Sequence, residues 1–208
     1  MQDLPARGRL EKGILHRLAA DLCAGALAIF PTETVYGLGT SAFSAAGVRR
    51  IYTLKGRRWN KPLALLVSDL KSAAPLLGTI PKEAFRLAEA FSPGPLTLVL
   101  KASHLGKLVT GGLDTLGVRI PDHPVALAIL KAVGIPLATT SVNRSGEDPA
   151  TSGAKSRNLF GDQVDWLLDG GICRMKKPST VVDLSHYPFT IVREGAISKK
   201  ALERILLA

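Results

Sequence analysis

Four short stretches of this chain hold polar residues that packing alone does not require. They are PTETVYG from Pro31, KGRRWNKP from Lys55, the turn into TLGVRI with Thr115 and Arg119, and TTSVNRSG from Thr139. Lysine supplies a point charge, arginine a planar fork that matches phosphate or carboxylate, and hydroxyls add short hydrogen bonds. No residue stands out as a general base, so the set suits phosphate chemistry, where positioning and charge stabilisation do most of the catalysis. From Arg49 to Lys61 there are six basic residues and no acidic one. Such a run is usually solvated surface, and only its company can make it a site. Arg119 lies inside an apolar strand, where a guanidinium needs an anion, either a ligand or an internal carboxylate.

Other chemistries find little support. Gly37-Leu-Gly39-Thr-Ser-Ala42 satisfies the loose glycine pattern of a dinucleotide fold. However, a Pro31 loop separates it from the preceding strand, and no acidic residue follows about 20 positions on. These are expected to be turn glycines. Gly153-Ala-Lys155-Ser156 lacks the Gly-Lys pair of a P-loop. There is no HExxH, no GxSxG and no paired cysteine, and His16, His104, His123 and His186 are scattered, so no metal site is expected. Cys23 falls on the apolar stripe of a predicted helix and is expected to be a buried structural thiol.

The elements that must position these residues follow from periodicity. Ile14, Leu15, Leu18, Ala19, Leu22 and Cys23 share one helical face, with a stop near Gly25. ALAIF reads as a buried strand leading into the PTETVYGLG loop. Ser44 is placed to cap a helix through AAGVRRIYTLK, LALLV is a strand, and Pro81 opens another helix. LTLVLKA, TLGVRI, a helix over about 123–133 and IPLATT follow. After the loop ending in TSG come a short helix, strands near VDWLLD, STVVDL and FTIVR, and a last helix, SKKALERILLA. Strands alternate with helices over short connections, which implies an α/β fold around one twisted, mostly mixed sheet flanked by helices, with ligands at strand ends. At 208 residues, 46% of them hydrophobic, a single domain over 1–208 is expected. No apolar run reaches the roughly 20 residues of a membrane span, and the polar start carries no signal segment, so the chain reads as cytoplasmic. The formal charge of +10 calls for an anionic partner such as a nucleotide or nucleic acid, although 5% aromatic residues argue against a base-stacking platform.

Taken in order, PTETVYGLG, Lys55-Gly56-Arg57, KPL, GVRIPDHP, Ser141-Val142-Asn143 followed by SG, STVVDL and VREGAIS resemble the YrdC/TsaC family of threonylcarbamoyl-AMP synthases, from about residue 12 onward. The resemblance implies a strongly twisted sheet around a basic concave cavity. It also implies a reaction in which L-threonine, bicarbonate and ATP, with Mg²⁺, give threonylcarbamoyl-AMP and pyrophosphate. Partner proteins then pass the threonylcarbamoyl group to a tRNA adenosine beside the anticodon, and tRNA itself is a possible contact. By the same resemblance Lys55 and Arg57 match the KxR motif and Ser141 and Asn143 the SxN motif, the expected catalytic set. Arg57, Lys61, Thr115, Ser141, Asn143 and Arg193 match ATP-contacting positions. Thr34, Arg119, Thr139 and Ser179 match positions around threonine, with Arg119 on its carboxylate.

The chain departs from the family pattern in places. Arg58-Trp59 replaces the proline that often follows KxR, and Arg58 is expected to be exposed. Leu66 stands where some members have a histidine, and SGEDPAT replaces SGxPxPT. The longer branch carries a second C-terminal domain, which is not expected here. Two rival functions share the fold. A non-catalytic RNA-binding subfamily typically lacks the KxR lysine that this chain keeps. The carbamoyl-transfer domain of hydrogenase-maturation proteins comes with additional regions.

Overall fold

The computed structural model describes residues 1–6 and 10–206. In chain order the elements begin with β1 (Gln2–Pro5), α1 (Lys12–Cys23), β2 (Ala28–Phe30), β3 (Gly37–Ser41), α2 (Ala45–Lys55) and β4 (Ala64–Leu66). They continue with α3 (Leu70–Ala73), α4 (Lys82–Phe91), β5 (Leu96–Lys101), α5 (His104–Thr110), β6 (Thr115–Arg119) and α6 (Pro124–Val133). The last are β7 (Leu137–Ser141), α7 (Gly153–Phe160), β8 (Trp166–Asp169), β9 (Thr180–Asp183), β10 (Thr190–Arg193) and α8 (Lys199–Leu206). The ten strands among the described residues join one mixed sheet in the order β1-β8-β2-β3-β7-β4-β6-β5-β9-β10. The expected α/β architecture is therefore present, and β4 is inserted between β6 and β7, parallel to the first and antiparallel to the second.

Period-two alternation decides which side chains reach which face. Along β6, Leu116 and Val118 enter a core packed beneath the sheet, while Thr115, Gly117 and Arg119 face the opposite way. On that opposite face α1 and α6 pack together over one part of the sheet, burying Leu18, Leu22, Ile129 and Leu130 with Phe30, Leu137 and Trp166. The remainder of the face, over β7, β4, β6, β5 and β9, is left as a concave floor. A large apolar side chain in either core contributes about 1.5–3 kcal/mol by leaving water.

Several expectations are corrected. GLGTS is a strand, not a turn: Gly39 pairs with both Ala28 and Thr139. A Cβ on Gly39 would lie 2.8 Å from Thr139 Cγ2 and 3.2 Å from the Phe30 ring, so close packing explains the glycine. Cys23 is exposed and Cys173 is the buried thiol, because α1 turns Leu22 inward and ends one residue later. Burial pushes the Cys173 thiol up to about 11. Strand β1 is an edge strand paired in parallel with β8, and its exposed polar positions mask the alternation. Short α5 starts at a Ser103 cap and contains Gly106, where a Cβ would collide with the Leu76 carbonyl 2.1 Å away. The final two residues of the last predicted helix lie outside the described residues.

Candidate active site

Small residues make the floor. The register places Ala64 opposite both Gly117 and Thr139, and Gly37 opposite Ser141, so the middle of the sheet is low and its margins carry the polar groups. The resulting cavity has a volume of about 360 Å³. Arg57, Thr115, Arg119, Thr139, Ser141, Ser179 and Arg193 line it. Lys55, Lys61, Thr34 and Asn143, expected to contact ligands, are not among the lining residues.

Each of those four has a physical reason. Lys55 ends α2 and is only 3% exposed. Its ammonium donates to the carbonyls of Ser141 and Asn143, at 2.5 and 2.7 Å, and to Asn143 Oδ1 at 2.9 Å. The lysine therefore ties the SxN turn to the end of a helix. Burial, then the charge of Arg57, pushes its proton affinity down to about 7, while three oxygen acceptors favour the charged form. Asn143 completes the turn: Oδ1 accepts from Ser141 Oγ at 2.6 Å, and Nδ2 donates to the carbonyls of Arg144 and Glu147. Lys61 is exposed, and its contribution is a backbone carbonyl that receives Tyr52 Oη at 3.0 Å and Arg57 Nε at 2.9 Å. Thr34 is fully buried behind the cavity.

The three arginines are held differently. Arg57 also donates Nη2 to the Pro62 carbonyl at 2.9 Å, so the strap 57–63 folds round its guanidinium. Arg193 donates to the Ser179 carbonyl at 2.8 Å and to Ser179 Oγ at 3.2 Å. Ser179 Oγ lies 2.9 Å from Thr97 Oγ1. Burial first, then the positive charges of Arg119 and Arg57, lowers the proton affinity of Arg193, a sign of cations sharing one space. Arg119 gives Nε to the Gly94 carbonyl at 3.1 Å, and Nη2 to Glu33 Oε1 at 2.7 Å and Thr34 Oγ1 at 2.8 Å. Its Nη1 is the edge without a protein acceptor among the described residues. Since Thr34 accepts from Arg119, its own proton goes to Thr32 Oγ1 at 2.9 Å, and Thr32 donates onward to the Val35 carbonyl at 2.6 Å.

Sequence reasoning missed Glu33, Thr32 and Thr97. Glu33 is 1% exposed, and its Oε2 is a buried atom with no hydrogen-bond partner among the described residues. A carboxylate within a stretch otherwise rich in buried residues was the available signal, because an apolar strand carrying Arg119 needed one. Thr97 was similarly visible as a lone hydroxyl in LTLVLKA. Both Thr32 and Thr97 line the cavity. Arg58 is exposed, as expected. Among the described residues no group of three or more His, Cys, Asp or Glu could hold a metal ion, and no helix is long and apolar enough to cross a membrane.

Known proteins share the fold of this chain. A threonylcarbamoyl-AMP synthase of Pyrococcus abyssi is 38% identical over 201 residues, covering 96% of this chain and 59% of that protein. One from Halorhodospira halophila is 39% identical over 166 residues, 79% of this chain and 87% of its own length. The P. abyssi Sua5 crystal structure complexed with L-threonine superposes with a TM-score of 0.94 at 37% identity, over 99% of this chain and 61% of that one. The chain thus spans 59% and 55% of the length of the P. abyssi and Bacillus subtilis relatives. A family model for Sua5, YciO and YrdC proteins, described as telomere recombination, matches residues 21–195. With its fold and most of its length matched, this chain belongs to the Sua5/YciO/YrdC family.

Proposed function

We propose that the cavity forms threonylcarbamoyl-AMP and pyrophosphate from L-threonine, bicarbonate and ATP. The observation that carries this reading is the convergence of Arg57, Arg119 and Arg193 with the hydroxyls of Thr115, Thr139, Ser141 and Ser179 in one cavity. Three fixed cations in a partly dry space suit a substrate set that is anionic throughout. The amine of threonine and bicarbonate give a carbamate with loss of water. A carbamate oxygen attacks the α-phosphorus, the bond to the bridging oxygen breaks, and pyrophosphate leaves.

Roles follow from what each side chain has free. Arg119 offers its Nη1 edge to the threonine carboxylate. Ser179, with Thr97 beside it, takes the substrate hydroxyl, and Thr139 lines the same cavity from β7. Arg57, Arg193, Thr115 and Ser141 meet the phosphates, where charge builds on the leaving group. Lys55 and Asn143 act through the turn that presents Ser141, and Lys61 lies outside the lining, lending its carbonyl to Arg57. Mg²⁺ would enter on ATP, whose phosphates supply most of its ligands. The product passes to proteins that modify tRNA, in keeping with cytoplasmic work. Incubating the protein with ATP, labelled bicarbonate and threonine should yield a labelled adenylate. ATP turnover that does not change when threonine is omitted would overturn the reading.

A further inference from the structure

The strap 57–63 has two sides. In front of it lies the polar cavity, lined by Pro62 and Leu63 among others. The same two residues line a second cavity, of about 510 Å³, on the opposite side of the sheet. Its walls are apolar: Phe43, Tyr52, Trp59, Leu105 and Leu108 line it, with Arg49 as its cation. Four of the nine exposed large hydrophobic residues among those described are here, Phe43, Trp59, Leu105 and Leu108, each between 41% and 67% exposed. Apolar side chains exposed together, unlike ones scattered singly, mark an interaction or ligand-binding surface. The volume falls within the roughly 300–1,000 Å³ of small-molecule sites.

Charge selects the occupant. Among the described residues Arg49 has no hydrogen bond or ion pair through its side chain, whereas its neighbour Arg50 is spent on Asp165 at 2.9 Å. Arg58 and Lys61, both exposed, add positive charge along the strap. Trp59 stacks on Tyr52 with ring centroids 4.1 Å apart, leaving its outer side for a second flat ring. We propose that this cavity is a regulatory site for a small, flat apolar molecule bearing one carboxylate, its ring against Trp59 and its anion on Arg49.

Occupancy reaches the front cavity through the strap. Tyr52 and Arg57 share the Lys61 carbonyl, and Arg57 also holds the Pro62 carbonyl. A ring wedged against Trp59 and Tyr52 shifts the two carbonyls that aim Arg57. The binding itself is independent of the reaction proposed above, and only the coupling uses the nucleotide.

The test uses 1-naphthaleneacetate and its neutral amide, which share a shape and differ in charge. By calorimetry and quenching of Trp59 emission, the carboxylate should bind one per chain, about tenfold tighter than the amide. Arg49→Gln should bring the two to parity, and Leu108→Asp should abolish both. Saturating carboxylate should change the affinity for a non-hydrolysable ATP analogue at least threefold in the wild type and not in Leu108→Asp. No binding, equal binding of acid and amide, or binding that survives Leu108→Asp overturns the site. An unchanged analogue affinity overturns its regulatory role, and binding only of an acidic peptide would assign the surface to a protein. Failure of the analogue to bind at all, with the carboxylate still bound, would count against the proposed reaction instead.

Discussion

Arg119 and Glu33 meet at 2.7 Å in a place where their side chains are 9% and 1% exposed, so the cavity's most enclosed cation already owns an internal anion. This pairing leaves one face of the guanidinium for a ligand while removing the penalty of burying a bare charge. A buried pair adds little net stability, but breaking it by removing one partner is costly.

Glu33→Ala should therefore lower unfolding free energy by about 3–5 kcal/mol, because Arg119 is stranded. Glu33→Gln should cost clearly less, since an amide oxygen still accepts from Nη2. Urea unfolding at constant m-value measures both. Equal midpoints for Glu33→Ala and the wild type would mean that the pair contributes nothing.

Turnover should fall roughly 100-fold or more in Lys55→Ala, as the turn presenting Ser141 loses the ammonium that holds it. Arg58→Ala, at an exposed position, should do far less. Steady-state rates of pyrophosphate release compare the two. Similar losses from both would show that the strap is misread.

The titration of Lys55 has a definite sign. Burial draws its folded-state value down from 10.5 toward about 7, and its three acceptors resist, so the midpoint lies between these limits. Between that midpoint and 10.5 the unfolded chain holds a proton that the folded chain has released. Stability should accordingly rise with pH across this interval, while turnover that depends on the ammonium declines. Isotope-edited NMR of the lysine side chains should find one midpoint well below the rest, absent in Lys55→Met. A full set of lysines titrating near 10.5 would refute it.

Amino-acid choice separates two hydroxyls. Thr34 accepts from Arg119 and is not among the residues lining the cavity, so Thr34→Val should weaken threonine, serine and valine together. Ser179 lines the cavity, and Ser179→Ala should narrow the preference for threonine over valine, which a buried hydrogen bond can extend to roughly 10,000-fold. Arg119→Ala should weaken all three through the carboxylate. Competition assays on the variants decide the matter, and a Ser179→Ala enzyme with the full preference over valine would place selectivity elsewhere.

How far the residues alone could lead depends on the range of the interaction. Helices such as α2 and α6 were legible because Ser44 caps locally and the apolar spacing is regular. Arg119 was legible as a residue in want of an anion, but not the identity of that anion, since Glu33 lies 86 positions away. Lys55 was recognised by motif, but the direction of its ammonium was not legible. Whether an ammonium points at a ligand or at the Ser141–Asn143 turn is settled by tertiary packing that no local pattern carries. Edge strand β1 and the glycine strand β3 were missed for one reason: their partners, not their own side chains, make them strands.

The floor of the cavity exists only while β4, β6 and β7 keep their register, because a slip of one residue would send Thr115, Gly117 and Arg119 into the core. The unfolded chain thus has no vestige of the site, and whatever fits the cavity stabilises the whole sheet. A ligand present at 100 times its dissociation constant adds about 2.7 kcal/mol against unfolding. For this protein a melting curve doubles as a binding assay, able to rank amino acids and nucleotides before any turnover is measured.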